Sequence, residues 1–310
     1  MTSVAQQTQR RLGQVTGILL VNLATLTWAI NMTLGRWLRD QIGPLTLSAA
    51  RIFIASLLLA MLLRQRPPEE RSLGRDRWLL LGMAASGVVV FTPLLYLGLR
   101  FTTAVNATLI NGLGPLITGL LAALLIREPM SGRQMAGATL GLAGVVILIS
   151  GGSPDFWQVV RGNVGDLIVL LAVALWGLYS VLSRQVTRHR STLSATALST
   201  FLGLPLLLLA AAWEVQTFPV DTSPELILAV LYIGIFPATV GFLSWNAGIR
   251  RLGASGAMVF FNTLPLYGAL LGHLFLAEAI GLAHLLGGAL IVGGGLWAAW
   301  GRSQERESGS

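Results

Sequence analysis

Apolar residues run along this chain in continuous stretches rather than in alternation, and short polar breaks separate one stretch from the next. The runs are approximately Leu12–Gly35, Pro44–Leu63, Trp78–Leu99, Ala104–Ile126, Gly132–Ile149, Val164–Ser183, Thr192–Val215, Pro224–Ile249, Ala254–Leu276 and Gly281–Trp300. A membrane-crossing helix needs about 20 mostly apolar residues, so the pattern predicts ten spanning helices. A barrel would instead show segments of about ten residues with polar alternate positions. The largest breaks are Arg64–Arg77, with Pro67 and Pro68, and Gly151–Asn163, where Gly151, Gly152, Ser153 and Pro154 end one helix and delay the next.

Composition supports a lipid-facing surface. Of 310 residues 54% are hydrophobic and only 11% charged, with a mean hydropathy of +0.72. A soluble domain carries roughly a quarter of its residues as charged side chains. The net charge of +8 does not point to nucleic acid, because the arginines sit in short clusters between apolar runs and form no extended basic face. No cysteine is present, which excludes a disulfide framework and a thiolate metal site. The run from Leu12 follows Arg10 and Arg11, is too long for a signal-peptide core, and is read as a retained first span.

Arginine placement orients the chain. With the N-terminus inside, the inner loops hold Arg10 and Arg11; Arg64, Arg66, Arg71, Arg75 and Arg77; Arg127 and Arg133; Arg184, Arg188 and Arg190; Arg250 and Arg251; and Arg302 and Arg306. The outer loops keep Arg36, Arg39, Arg100 and Arg161. The positive-inside rule then predicts an inner (plasma) membrane protein with both termini cytoplasmic.

The chain also repeats itself. Pro115/Pro265, Glu128/Glu278, Gly137/Gly287 and Gly144/Gly294 each stand about 150 residues apart, Trp28 and Arg36 match Trp176 and Arg184 at a similar offset, and Thr46-Leu47-Ser48-Ala49 recurs as Thr192-Leu193-Ser194-Ala195. The halves fall at 1–150 and 164–301, with 151–163 as a linker. Five helices per half is an odd number, so the two copies have opposite orientations. Inverted repeats with a site at their interface are a transporter signature.

In one half, Trp28-Ala29-Ile30-Asn31, Ala50-Arg51-Ile52-Phe53 and the series from Pro115 through Glu128 to Gly137 and Gly144 resemble the EamA-type repeat of the drug/metabolite transporter superfamily. The resemblance covers nearly the whole chain. It implies an all-α integral membrane fold in which ten transmembrane helices form two inverted five-helix repeats around a central cavity. Helices three, four, eight and nine are then expected near the centre, one and six beside them, and five and ten away from the pathway. Length and duplication look most similar to bacterial exporters of amino acids and related metabolites. The resemblance implies a small-molecule substrate and the lipid bilayer as partners, no bound cofactor, and a monomer or weak homodimer.

Polar side chains inside lipid are costly and should face a partner helix or a watery space. The candidates for substrate contact are Trp28, Asn31, Tyr96, Asn111, Trp176, Tyr179, Asn262 and Tyr267. An aromatic wall with a few amides suits a solute that is part apolar and part zwitterionic. A single Ser or Thr has the plainer role of interhelical hydrogen bonding, and Trp78, Trp213, Trp297 and Trp300, near helix ends, that of interfacial anchors. Glycines such as Gly137, Gly144, Gly287 and Gly294 are expected at close helix contacts. Pro93, Pro115, Pro205, Pro237 and Pro265 should kink their spans, and the matched pair Pro115 and Pro265 is the expected hinge.

Ionisable residues narrow the mechanism. Arg51 lies several residues inside the second span, where a structural role is expected, and His273 stands alone near an outer end. Glu128, Asp166, Glu214 and Glu278 are all at span ends, where they are expected to stay hydrated, and no carboxylate sits at mid-membrane. The leading reading is a secondary transporter exporting neutral or aromatic amino acids and related metabolites by alternating access, driven by the solute's own gradient. The alternatives are a proton-coupled multidrug or metabolite exporter, which would normally place a carboxylate where Asn22 and Thr25 stand, and a membrane enzyme, which would need clustered His, Asp or Glu near one face. No GxxxxGK[ST] loop is present to bind ATP.

Overall fold

The computed structural model describes residues 2–128, 130–151, 163–218 and 220–307, with side chains left undescribed at 2–11, 253–259 and 298–307. The expected linker therefore lies almost wholly outside the described residues, as does the side chain of Trp300. Every regular element among the described residues is helical. The first, second and fifth to seventh spans are single helices: Thr2–Trp37, Pro44–Leu63, Gly132–Ser150, Val164–Val186 and Thr192–Glu214. Pro205 lies inside the last of these without ending it.

The remaining spans are interrupted. The third runs Pro68–Phe101 and contains a π-helical turn, Ala84–Val90, just before Pro93. The eighth opens as Pro224–Ile235, passes through a second π-helical turn at Phe236–Gly241 that contains Pro237, and continues from Phe242. The fourth is two helices, Ala104–Asn111 and Gly114–Ile126, bent by 40°.

The helix from Phe242 extends to Phe261 and joins the end of the eighth span to the start of the ninth. Sixteen residues of straight helix would separate Trp245 from Phe261 by about 24 Å. Their ring centroids are 5.6 Å apart, so the chain doubles back between them. The ninth span is completed by Thr263–Leu276 and the tenth begins with Leu282–Glu307.

Contacts at the helix ends fix the direction of each span. On one face Gln41 bonds Asp221, Asn163 bonds Ile149, Arg36 meets Glu278 and Thr102 meets Asp166. On the other, Arg190 meets Asp76, Ser191 meets Glu70, Arg184 meets Glu128, and Gly17 packs on Leu252. Each set joins alternate ends of successive spans, the arrangement that ten crossings give, although among the described residues only seven helices, or eight with the bent pair, are long and apolar enough to cross by themselves. The first span of each half consequently ends on an opposite face, so the halves are inverted.

The halves interleave. The first span packs on the eighth and ninth, and the sixth on the third and fourth, so each opening helix is held mainly by the other half. The fifth and tenth pack against one another through glycine. A Cβ on Gly144 would lie 2.6 Å from the Gly287 carbonyl oxygen, and one on Gly294 would lie 2.6 Å from that of Gly137. Small residues let the two backbones approach at this distance, which is how helices associate where lipid supplies no hydrophobic drive.

Helix starts are capped in order along the chain. Thr103 accepts from Asn106 N, Ser131 forms a reciprocal capping box with Gln134, and Ser191 and Ser223 cap the seventh and eighth spans. Trp78, Trp213 and Trp297 face outward near helix ends, as anchors do.

Candidate functional site

The site is built where helices lose their regularity. Gly112 and Leu113 separate the two parts of the fourth span just before Pro115, and Asn262 separates Phe261 from Thr263 just before Pro265. Proline has no N–H to give to the turn before it, so a break at these places follows from the residue. The two breaks meet: a Cβ on Gly112 would be 3.2 Å from Pro265 Cγ, and one on Gly268 would overlap the Thr108 side chain at 2.0 Å. Both expected hinges therefore lie at one contact between the halves.

Two aromatic groups stand on the opening helices of the two halves. In the first, the Trp28 ring is 5.6 Å from Trp245 and 6.1 Å from Phe261, centroid to centroid, and Trp28 Nε1 donates to the Pro237 carbonyl at 3.1 Å on the π-helical turn. The same opening helix makes polar bonds to the helix Thr263–Leu276, with Tyr267 Oη donating to Asn22 Oδ1 at 2.9 Å and the Thr25 and Thr263 hydroxyls 2.8 Å apart. In the second group, Trp176 stacks on Tyr179 at 4.9 Å and lies 5.0 Å from Phe91, the residue that follows the other π-helical turn. Trp28 and Trp176 are half-buried.

The amides divide. Asn31 accepts from Tyr96 Oη at 2.8 Å, and Tyr96 in turn accepts from Arg51 Nη1 at 3.3 Å. Asn31 and Tyr96 are 3% and 2% exposed, so the bond between them is sealed inside the protein, while Arg51 is partly exposed. Asn111 is buried at the fourth-span break with Nδ2 unpartnered. Asn262 is buried at the ninth-span break, its amide beside Gly295 of the tenth span. The structure thus joins Asn31 with Tyr96, gathers Trp176 with Tyr179, and leaves Trp28, Tyr267 and the two break amides in separate contacts.

Comparison with known proteins decides the family. The model of the EamA-like transporter family matches residues 15–150 and again 163–300. The chain belongs to that family. This EamA-like transporter is 26% identical to the uncharacterised transporter YyaM of Bacillus subtilis over 91% of its own length and 92% of the relative's. It is 26% identical to a Streptantibioticus cattleyicolor protein named "Probable terminal-alkyne amino-acid exporter", covering 88% of this chain and 93% of that one. A solved crystal structure aligns with a TM-score of 0.59 and 25% identity over 94% of this chain and 96% of that chain. The protein is a multi-pass membrane transporter of the drug/metabolite transporter superfamily.

One expectation for this EamA-like transporter is overturned. Carboxylates at span ends were expected to be hydrated, yet Asp166 is fully buried and Glu214 and Glu278 are each 8% exposed. Glu278 accepts from Ala104 N and Val105 N at 2.8 and 2.9 Å, and Glu214 from Leu45 N and Thr46 N at 3.2 and 2.7 Å. Asp166 binds the Thr102 hydroxyl and the Asn106 amide. Each caps or braces a helix start reached from another span, where the positive end of the helix favours an anion. His273 is likewise engaged, with Nδ1 3.0 Å from the Glu278 carbonyl oxygen.

Sequence reasoning passed over Phe91 and Phe261, apolar residues with no hydrogen-bonding atom to mark them. The neighbouring Asn262 and Pro93 drew attention instead. The π-helical turns were signalled only by Pro93 and Pro237, which predict an irregularity without its form.

Proposed function

We propose that this transporter exports small zwitterionic solutes, neutral and aromatic amino acids and related metabolites, by alternating access. The observation that carries the reading is the pair of aromatic groups around Trp28 and Trp176, one on the opening helix of each half, with a π-helical turn beside each. Aromatic faces suit an apolar side chain, and amides and freed carbonyls suit an ammonium and a carboxylate. The name of the Streptantibioticus cattleyicolor relative supports the same substrate class. Pro115 and Pro265 are the pivots of the motion in this reading. Flux follows the solute's own gradient, so export reflects accumulation in the cytoplasm of a cell whose inner membrane holds both termini on the inner side.

Counterflow in proteoliposomes tests it. Vesicles loaded with unlabelled phenylalanine, leucine or tryptophan should take up the labelled amino acid transiently above equilibrium. Absence of counterflow for every neutral amino acid, with protein shown to be inserted, would end the amino-acid assignment. A proton-coupled exporter is the second reading, and buried Asp166 favours it.

A further inference from the structure

Among the described residues within the spans, Arg51 is a charged side chain that the fold does not account for. It lies seven residues into the helix that starts at Pro44, about 10 Å along the axis. Among the described residues no carboxylate lies within ion-pair distance of it, and its sole hydrogen bond is to Tyr96 Oη at 3.3 Å. Its Nε is buried without a partner, while the residue as a whole is partly exposed. A guanidinium carries five N–H donors in a rigid plane, and most of these are unspent.

The carboxylates that come nearest in the sequence pattern are committed elsewhere. Asp166, Glu214 and Glu278 hold helix starts, as described above. Nor does the architecture require an arginine here. The second half aligns Thr192–Ala195 with Thr46–Ala49, which sets Ala197 opposite Arg51, and the inverted copy folds without a charge at that place. A cation kept inside a membrane protein at one of two equivalent positions marks a functional site more often than a structural one.

Tyr96 receives from Arg51 and gives its own proton to Asn31, so one N–H of the guanidinium is engaged and the others are left to face a ligand. The π-helical turn of the eighth span packs on both the first and second spans, and its Thr239 hydroxyl is also buried without a partner. We propose that Arg51, braced by Tyr96 and Asn31, is the anion subsite that takes the carboxylate of the transported solute. The geometry suits a carboxylate because two parallel N–H groups of a guanidinium match its two oxygens. This rests on the amino-acid reading for the rest of the solute, whose apolar part goes to the aromatic groups.

Matched solutes separate the two claims. Binding to the purified transporter, followed by tryptophan fluorescence, is compared for phenylalanine, its amide, phenethylamine and phenyllactate, with transport of the same compounds in vesicles. A site whose polar groups are built for one partner rejects the analogue that lacks it, so the wild type should bind the acids at least about 10-fold more tightly than the amide or amine. Arg51→Gln should lower the acids to the amide's affinity and leave the amide unchanged, with Arg51→Lys between. Tyr96→Phe should reduce the acid preference in part.

Equal binding of acid and amide by the wild type overturns the proposal even where Arg51→Gln fails to fold. So does an Arg51→Gln protein that keeps the preference, or one altered only in its retention of anionic phospholipid. Binding of phenyllactate without phenylalanine would support the anion subsite and remove the amino-acid reading. A panel in which no carboxylate binds removes both.

Discussion

Arg36 Nε lies 3.9 Å from Glu278 Oε1, and at the equivalent place in the other half Arg184 pairs with Glu128 on the opposite face. Each pair ties the end of one half's opening helix to the turn that follows the other half's broken helix. In both turns the residue before the glutamate is left-handed, Arg127 at φ 55° and Ala277 at φ 53°. The two pairs differ in seclusion. Arg36 and Glu278 side chains are 20% and 7% exposed, Arg184 and Glu128 61% and 33%.

The difference predicts unequal costs. Glu278→Ala strips two buried N–H groups of their acceptor and leaves Arg36 without its ion pair, at about 2–3 kcal/mol. Glu128→Ala breaks an exposed pair, worth about 0–1 kcal/mol. Thermal unfolding in detergent should therefore fall clearly for the first and barely for the second. Equal shifts would mean that seclusion does not decide the strength of these ties.

Substitution at the glycine seam should separate folding from transport. A side chain at Gly144 or Gly287 must displace the facing backbone, whose carbonyl oxygen lies 2.6 or 2.7 Å from the added carbon. Gly144→Val and Gly287→Val are expected to lose most folded protein, while whatever folds transports at nearly the normal rate per molecule. Size-exclusion yield and vesicle flux measure the two. Normal yield with lost flux would place this seam in the pathway instead.

The fold was legible because lipid imposes a coarse rule. Runs such as Pro44–Leu63 and Thr192–Val215 are long and apolar whatever they touch, and the spacing of Glu128 and Glu278 exposes the duplication directly. A break between the eighth and ninth spans was expected between Ile249 and Ala254, whereas the helix continues through it from Phe242 to Phe261. What stayed hidden depends on which distant ends meet. Glu278 reads as a hydrated end residue until the start of the fourth span is laid against it, and Arg51 reads as structural until every neighbouring carboxylate is assigned. Tyr96 and Asn31 were both candidates, but their shared bond, and the direction in which it aims Arg51, is a property of three helices at once.

The aromatic groups should be sensitive to ring loss. Trp28→Ala removes two ring contacts and the bond to the Pro237 carbonyl, and Trp176→Ala removes contacts with Phe91 and Tyr179. An aromatic contact of this kind contributes about 0.5–1.5 kcal/mol beyond its buried area. Each variant should cut the transport rate several-fold or more at unchanged expression, with Trp28→Phe retaining part of it. Wild-type rates in both alanine variants would dismiss these groups as substrate contacts.

Topology is open to a clean chemical test because the chain has no cysteine. Single cysteines in place of Arg71 and Arg188 should react with an impermeant maleimide only after the cytoplasmic side is exposed, and those in place of Asp40 and Asp221 in intact spheroplasts. Labelling of Arg71→Cys and Asp40→Cys from the same side would contradict the ten crossings.

Energy coupling is the sharpest of these questions, since the burial of Asp166 removes the simplest reason for excluding it. A proton-driven exporter needs a group whose protonation differs between the two facing states and which the solute contests. Asp166 is enclosed, yet its oxygens are occupied by Thr102 and Asn106 at the start of the fourth span, and none of its hydrogen-bond partners belongs to either aromatic group. Glu278 is held by two backbone N–H groups. Glu278 acts as a fixed cap and Asp166 as a side-chain brace, and loss of charge at either would loosen the helix start it holds. Flux is therefore expected to follow the solute gradient alone. Vesicles with equal phenylalanine on both sides and an imposed pH difference should show no accumulation, and Asp166→Asn should lower folded yield without changing the pH response of what remains. Accumulation that a protonophore abolishes would overturn this, and its loss in Asp166→Asn, with retention in His273→Ala, would name Asp166 as the coupling group.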